Sequence, residues 1–256
     1  EAEFTVCTED ELRHISPNLN NELKNLKIDK NKYLFLKEMI IYDDEDFFII
    51  NKPTNFSVHS GTNNDLGLID ILRALYSNDF LNLCHRLDKG TSGCMVIAKN
   101  QKFLRFFNDQ LKKRLVKKIY HAIVKGHISE EIHLTENIDI DTKGTYRKVS
   151  FNKDGKEAKS ILKPLKKLNE SSLIQIEILT GRTHQIRAQS EKINKNIAND
   201  HKYGCPNFNK RLHKSKISRL GLHSYQISFK DLNNNENNFF AEYDENFSNM
   251  IKFLEN

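Results

Sequence analysis

The sequence predicts an α+β fold built on a mainly antiparallel, mixed β-sheet with flanking helices. Short apolar runs with strand character outnumber the helical patterns, and many of these runs are joined by short turns. That arrangement is typical of an α+β domain. The 256 residues suit one large domain, and sixteen Phe and eight Tyr residues supplement the aliphatic core.

The first half of the chain is predicted to open with a hairpin. Apolar residues at 39–42 and 47–50 flank an acidic turn, which predicts two strands with a tight connection. Apolar residues between 68 and 75 share one helical face. Residues 93–99 form a short apolar strand. Asn100 can then cap a helix in which apolar residues recur every four positions.

The second half is predicted to contain three strands, a helix, a basic loop, a closing hairpin and a terminal helix. The strands are expected at 119–124, 160–165 and 174–178, and the helix at 183–195. The loop is expected at 205–220, the hairpin at 222–229 and 239–243, and the terminal helix at 248–254.

We expect the chain to divide near residue 38. Residues 1–37 are polar and weakly periodic, with one short helix expected around 21–26, so they are interpreted as a linker or extension. Residues 38–256 hold the strong patterns and no low-complexity stretch, so they are interpreted as a single domain.

The composition favours an intracellular protein with a polyanionic partner. Lys and Arg outnumber Asp and Glu by 40 to 34, which gives a net charge of +6. The four cysteines are far apart and form no C-x-x-C pair, which predicts a reduced, cytoplasmic chain. No apolar run approaches the ~18 residues of a membrane span, so no membrane association is expected.

Several common catalytic motifs are absent. The sequence has no dinucleotide-binding glycine fingerprint, no phosphate-binding P-loop and no H-E-x-x-H zinc motif. Cys84 and His85 are adjacent and would point to opposite sides of an extended segment, so a thiol nucleophile is not favoured. His121, His127 and His133 are spaced six apart, which does not match ligand spacing on strands. We therefore expect no metal and no cofactor.

Two dense polar segments stand out, at residues 85–93 and 180–187. Each lies between an apolar element and a glycine turn, where functional loops are common. An Asp in such a loop needs a cation or hydrogen-bond donors to stay ionised, and Arg182 is a candidate for that cation. A purely structural network of ion pairs among Arg86, Asp88 and Arg182 is the alternative.

These two segments resemble signatures of the RluA-type pseudouridine synthases. Residues 85–93 read H-R-L-D-K-G-T-S-G, and residues 181–187 read G-R-T-H-Q-I-R. Three further stretches are similar to family segments in the same order, namely N-K-P at 51–53, K-K-I-Y at 117–120 and D-H-K-Y-G at 200–204. The resemblance runs from about Met39 to the C-terminal end. It is greatest to the RluC branch, which modifies large-subunit ribosomal RNA.

The resemblance implies roles for individual residues. Asp88 would be the catalytic aspartate. Tyr120 would stack on the flipped uracil and is a candidate to help remove its C5 proton. Arg182 would pair with Asp88 and keep it anionic. Arg86 would enter the RNA helix as the target base leaves it, and Ile197 would pack against the base, although Ile197 also suits a core position.

The resemblance also implies a pseudouridine synthase fold with a central active-site cleft and a reaction that needs no cofactor. The C1′–N1 bond of uridine is cleaved, and the uracil turns and is rejoined through C5. The carboxylate either attacks C1′ or removes the C2′ proton, and both routes stay open. We expect RNA as the partner of a monomer that has no obligatory protein partner.

A basic stretch near the C-terminal end is a second candidate RNA contact. Lys210, Arg211, Lys214, Lys216 and Arg219 could bind phosphates, or form an ordinary solvated face. Relatives often begin with a small RNA-binding domain. Residues 1–37 are too short and too polar to form one, so we expect that domain to be missing from this chain.

Three other functions compete with catalytic isomerisation. An RNA-binding protein that keeps the fold without catalysis would not need Asp88, Tyr120 and Arg182 together. A hydrolytic glycosidase usually needs a second carboxylate as general acid, and neither polar segment supplies one. A structural role in ribosome assembly remains open as an additional function.

Overall fold

The computed structural model describes residues 28–60, 66–140 and 148–255. Within these ranges, the α-helices are Phe35–Glu38 (α1), Leu68–Tyr76 (α2), Gln101–Lys112 (α3), Gln185–Lys192 (α4), Pro206–Leu212 (α5) and Glu245–Glu255 (α6), with 3-10 turns at Lys30–Tyr33 and His213–Ser215. The helix expected around 21–26 lies outside the described residues. No helix within them is long and apolar enough to cross a membrane.

The strands of the described ranges join into a single sheet. They are Ile40–Asp43 (β1), Phe47–Lys52 (β2), Asn82–Leu83 (β3), Ser92–Ala98 (β4), Lys117–Lys125 (β5), Ile132–Ile140 (β6), Val149–Phe151 (β7), Lys156–Leu168 (β8), Ser171–Ile178 (β9), Leu222–Lys230 (β10) and Glu236–Phe240 (β11).

The sheet is mixed and mainly antiparallel, as the sequence predicts. Its order is β1-β2-β4-β10-β5-β9-β8-β6-β7, with β11 added to β10 and β3 added to β4. Among the paired strands, β4 and β10 run parallel, and the other pairs run antiparallel. The centre of the sheet therefore brings together segments that are more than a hundred residues apart in sequence.

The two faces of the sheet carry different hydrophobic clusters. Tyr120 of β5 belongs to a cluster with α2 and Leu87, whereas Ile123 belongs to a cluster with α5 and α6. Residues 120 and 123 leave the strand on opposite faces because side chains alternate along a strand. Leu36, on the linker side of the expected boundary at residue 38, is fully buried in the first cluster.

Several local predictions are confirmed. β1 and β2 form the expected hairpin, and β10 and β11 form the closing one. The side chain of Asn100 accepts a hydrogen bond from the N–H of Phe103 at 2.9 Å, which caps α3. Such a cap typically contributes about 1 kcal/mol.

Other local predictions were incomplete or wrong. β6 and β7 were not predicted, and β8 extends well beyond residues 160–165 at both ends. The helix expected at 183–195 is shorter, because it begins at Gln185 and ends at Lys192. The loop expected at 205–220 contains α5, in which Pro206 occupies the first turn and Phe208 and Leu212 are buried one turn apart.

Gly93 allows the parallel contact between β4 and β10. Its φ is +111°, and Ser224 is its partner across the two strands. A Cβ atom at this position would collide with the backbone of Ser224. A side chain here would therefore be opposed by both the dihedral angle and the close approach.

Replacing Gly93 with Ala is expected to destabilise the protein by about 2 kcal/mol or more, since the substitution adds backbone strain and a collision in the middle of the sheet. Equilibrium denaturation in guanidinium chloride measures this loss. Gly181→Ala is the control, because a Cβ there meets only the flexible Lys118 amine at 3.4 Å. A loss for Gly93→Ala no larger than for Gly181→Ala would contradict the explanation.

Candidate active site

Asp88 lies in the loop between β3 and β4 on the Tyr120 face of the sheet. Its neighbour Leu87 is 6% exposed and anchors the loop in the core. The N–H of Thr91 donates to the Asp88 carbonyl at 3.0 Å, which closes a turn. The Asp88 side chain itself is 30% exposed, so its carboxylate is open to a ligand from solvent.

Lys52, at the end of β2, is hydrogen-bonded to this loop. It is fully buried, and its amine donates to the carbonyls of Pro53 and Phe56 at 3.0 Å and of Lys89 at 3.2 Å. Three acceptors match the three N–H donors of an ammonium group. Burial lowers the pKa of Lys52 to about 7, against the opposing charge of Asp88.

Arg187 on α4 joins two carboxylates. Its Nη1 donates to Oδ2 of Asp88 at 2.9 Å, while its Nε and Nη2 donate to the two oxygens of Asp200 at 2.7 and 2.9 Å. Burial alone would lower the pKa of Arg187, but the hydrogen bonds and charge of Asp200, with those of Asp88, raise it above its ordinary value. The guanidinium is thus permanently charged and fixed in orientation.

Asp200 is the buried half of this arrangement. Its side chain is 0% exposed, and Oδ1 also accepts the backbone N–H groups of Lys202 and Tyr203 at 2.9 Å. Burial would raise the pKa of Asp200, but hydrogen bonding and charge from Arg187 bring it below the usual value. The Arg187 guanidinium also stands 5.1 Å from the centre of the Tyr203 ring, at cation–π distance.

His184 precedes α4 and faces the same aspartate. Its Nε2 lies 3.7 Å from Oδ2 of Asp88, and its Nδ1 is 3.0 Å from the Tyr203 hydroxyl. Burial lowers the pKa of His184, so the ring is neutral at pH 7. The next residue, Gln185, accepts hydrogen bonds from Thr180 and from the N–H of Arg182, which fixes the loop.

Tyr120 lies on the same face of the sheet as Leu87, the neighbour of Asp88. It is 6% exposed, and burial raises the pKa of its phenol, with Ser224 as a hydrogen-bond partner and the charge of Asp88 acting in the same direction as burial. The phenol therefore remains protonated at neutral pH. An aromatic ring and an anionic carboxylate on one face suit a planar ligand on which the carboxylate acts as nucleophile or base.

The expected pairing of Arg182 with Asp88 is wrong. The Nε of Arg182 donates to the carbonyl of Glu157 at 2.9 Å, and the charges that act on the pKa of Arg182 are those of Arg114 and Glu157. Arg187 takes its place at Asp88. The motif contains both arginines, and nothing in its spacing distinguishes the one that reaches Asp88.

Arg219 is not available as a phosphate ligand. It is 3% exposed, and its guanidinium donates to Asp244, to the Ser92 hydroxyl at 2.8 Å and to the carbonyls of Leu220 and Leu222. The hydrogen bond to Ser92 ties Arg219 to the first residue of β4. The expectation that Arg219 binds RNA is therefore wrong, because its guanidinium is buried in an ion pair with Asp244.

The remaining candidates divide by exposure. Ile197 is 1% exposed within the core cluster that contains Tyr120, and it pairs with Val124 in an isolated β-bridge. Arg86 is exposed on the Asp88 loop, with its charge near His59. The basic residues of α5 and the following turn are exposed, namely Lys210, Arg211, Lys214 and Lys216.

The structure disfavours a thiol nucleophile next to Asp88. Cys84 is buried, which raises the pKa of its thiol far above the usual range. The Nε2 of His85 accepts the N–H of Val96 at 3.1 Å, and burial lowers the pKa of this ring to about 3. In the described part of the chain, no group of three or more His, Cys, Asp or Glu side chains could hold a metal ion.

Most of the residues around Asp88 lie inside the sequence motifs, although the sequence alone predicts no role for them. They are Lys52, His184, Arg187, Asp200 and Tyr203. Their partners are remote in sequence, so only tertiary structure shows which of them meet at Asp88.

Comparison with known proteins matches this chain to RNA-modifying proteins. Residues 46–192 match the family described as RNA pseudouridylate synthase. A Vibrio parahaemolyticus protein named "Ribosomal large subunit pseudouridine synthase C" is 36% identical over 207 residues, with 80% of this chain and 65% of that protein covered. The Haemophilus influenzae protein of the same name is 33% identical over 258 residues, with 98% and 80% covered. The chain thus spans less than two thirds of the Vibrio relative.

Solved structures show the same fold. "Human RNA Pseudouridylate Synthase Domain Containing 4" superposes with a TM-score of 0.72 at 25% identity, covering 88% of this chain and 96% of that one. "Human RNA Pseudouridylate Synthase Domain Containing 1" superposes with a TM-score of 0.67 at 24% identity, covering 80% and 82%.

Arg187→Met is expected to destabilise the protein by about 3–5 kcal/mol, because it leaves the buried Asp200 carboxylate without its partner. Arg182→Met removes a partly exposed guanidinium and should cost less than about 1 kcal/mol. Equilibrium denaturation at pH 7 compares the two. Equal losses of unfolding free energy for the two variants would contradict the assignment of Arg187 as the residue that joins Asp88 and Asp200.

Proposed function

Because the chain belongs to the RNA pseudouridylate synthase family, we propose that it isomerises uridine to pseudouridine in structured RNA, with large-subunit ribosomal RNA as the substrate. The two bacterial relatives carry that ribosomal subunit in their names. The single observation that carries the proposal is the half-exposed Asp88 carboxylate, bonded to Arg187 at 2.9 Å on the face that also carries Tyr120.

The reaction rearranges atoms within one nucleotide. The bond between C1′ and N1 breaks, the uracil turns, C1′ joins C5, the C5 proton leaves to solvent, and N1 takes up a proton. One proton is lost and one is gained, so the atoms balance and no oxidant or activated donor is consumed. The Asp88 carboxylate serves either route, by attacking C1′ or by removing the C2′ proton, and Nη1 of Arg187 holds its Oδ2 at 2.9 Å.

Access to C1′ requires the nucleotide to leave its helix. Flipping costs a few kcal/mol, and stacking on an aromatic ring returns roughly 1–3 kcal/mol per base. Tyr120 is the ring we propose for this contact. Arg86 is exposed on the Asp88 loop and can reach the RNA backbone or the gap left by the base.

We propose that the protein acts as a monomer without an obligatory protein partner. A ribosomal RNA substrate supports action in the cytoplasm. For Ile197, the family resemblance supports packing against the uracil, and its position in the core cluster that contains Tyr120 is compatible with that role.

Asp88→Asn is expected to reduce turnover at least about 10³-fold, since the amide is neither an effective nucleophile nor a base. RNA affinity should stay close to wild type. The assay measures tritium release from large-subunit ribosomal RNA labelled at C5 of uridine.

Asp109→Asn is the matched control, because Asp109 is an exposed aspartate on α3 that makes only a 4.0 Å contact to Lys112. Near wild-type turnover by Asp88→Asn would refute the assignment. Absence of tritium release from the wild-type protein would refute the proposed function itself.

A group of cations lies beside the cleft. Arg182 is two residues from His184, and its guanidinium donates to the backbone carbonyl of Glu157. Arg114 and Lys159 form ion pairs with the carboxylate of Glu157 at 3.6 and 2.9 Å. We propose these three cations, which we call the cleft-side cluster, as contacts for RNA phosphates near the flipped nucleotide.

The exposed basic residues of 210–216 lie on the other side of the sheet. Phe208 and Leu212 anchor their helix, α5, in the cluster that contains Ile123, on the face opposite to Tyr120. We therefore propose that this surface contributes less to binding at the cleft than the cleft-side cluster does.

Neutralising Arg114, Lys159 and Arg182 to Gln should reduce the slope of log K against log salt by about 2, because each lost phosphate contact removes about 0.7–0.9. Neutralising Lys210, Lys214 and Lys216 to Gln changes the net charge equally and is the matched control. Binding of the ribosomal RNA transcript at several salt concentrations measures both slopes. A larger change in the control than in the cleft-side variant would reverse the assignment.

A further inference from the structure

Two side chains approach the same oxygen of Asp88. Nη1 of Arg187 donates to Oδ2 at 2.9 Å, and Nε2 of His184 lies 3.7 Å from that oxygen. Across residues 28–60, 66–140 and 148–255, no protein donor makes a hydrogen bond to Oδ1 of Asp88. The carboxylate is thus held through Oδ2, and the side chain as a whole is 30% exposed.

Tyr203 determines which nitrogen of His184 carries the proton. The N–H of Val149 donates to the Tyr203 hydroxyl at 2.9 Å, and that hydroxyl lies 3.0 Å from Nδ1 of His184. Since the hydroxyl already accepts one hydrogen bond, it satisfies both of its roles by donating its own proton to Nδ1. The proton of the neutral ring then sits on Nε2 and points at Asp88.

The backbone of His184 is held in an unfavourable conformation. Its φ of 52° and ψ of 19° are left-handed, which is disfavoured for a residue with a Cβ. Strained backbone of this kind persists where the surroundings enforce it, and it concentrates at functional sites. Here the hydrogen bond to Tyr203 and the edge-on ring contact, with centroids 5.5 Å apart, enforce it.

The charges around His184 favour a neutral donor. Asp88 and Asp200 favour the protonated imidazolium, Arg187 and Lys202 oppose it, and burial, the largest effect, lowers the pKa of the ring. A neutral His184 can donate to Asp88 without repelling Arg187, so the two donors can act together on one oxygen.

We infer that His184 is a positioning residue that, with Arg187, orients Asp88 so that Oδ1 acts on the bound nucleotide. The 3.7 Å separation is too long for a hydrogen bond in the free protein. Catalytic hydrogen bonds commonly shorten in the substrate complex. The Nε2–H of His184 closes on Oδ2 when RNA enters. This inference rests on the proposed isomerisation.

The test uses His184→Gly, because glycine accepts the left-handed conformation and leaves space for free imidazole. The kcat for tritium release from C5-labelled ribosomal RNA should fall roughly 10- to 100-fold, as expected for a misplaced catalytic group. KM should stay near wild type. Added imidazole should restore much of the kcat, and His184→Gln, which keeps an N–H donor at a similar reach, should retain more activity than His184→Ala.

Two controls separate positioning from folding. Imidazole should not restore Asp88→Asn, and His133→Ala, at an exposed histidine paired with Glu131, should keep wild-type kcat. Wild-type kcat in a folded His184→Gly protein would overturn the inference. So would a fall in kcat that neither imidazole nor glutamine relieves. Both outcomes require active wild-type protein, so they are distinct from failure of the proposed function.

Discussion

The arrangement of the site depends on the guanidinium of Arg187, which is shared between two carboxylates. Asp200 is fully buried and takes two of its nitrogens, which leaves Nη1 to hold Asp88 at 2.9 Å. A guanidinium that one carboxylate already holds in place loses little further conformational freedom when it binds the second carboxylate. The buried ion pair therefore serves orientation more than stability, since buried pairs alone contribute little net free energy.

The sheet makes this meeting of distant residues possible. Asp88 and Arg187 are 99 positions apart. Asp88 precedes β4 and Arg187 lies on α4, which follows β9, and the sheet order β4-β10-β5-β9 connects these two strands through its centre. Gly93 permits the close parallel contact on one side of that centre. Lys52 then ties the end of β2 to the Asp88 loop through the Lys89 carbonyl. The Asp88 loop is consequently held by Lys52 as well as by Arg187.

What the sequence predicts correctly is mostly local. The first hairpin and the Asn100 cap are set by residues within a few positions of one another. The family motifs located the polar segments, but they contain both Arg182 and Arg187, and only packing decides which one reaches Asp88. Arg219 was misjudged for the same reason, because its partner Asp244 is 25 residues away and the surrounding stretch is basic.

A double-mutant cycle between Arg187 and Asp200 tests the central claim most directly. Arg187→Met leaves the Asp200 carboxylate buried and unpaired, whereas Arg187→Met combined with Asp200→Asn removes that charge as well. Equilibrium unfolding should therefore show that the double variant is more stable than Arg187→Met alone, with a coupling free energy of about 2 kcal/mol. If the stability losses of the two single variants add up to that of the double variant within about 0.5 kcal/mol, the ion pair between Arg187 and Asp200 is contradicted.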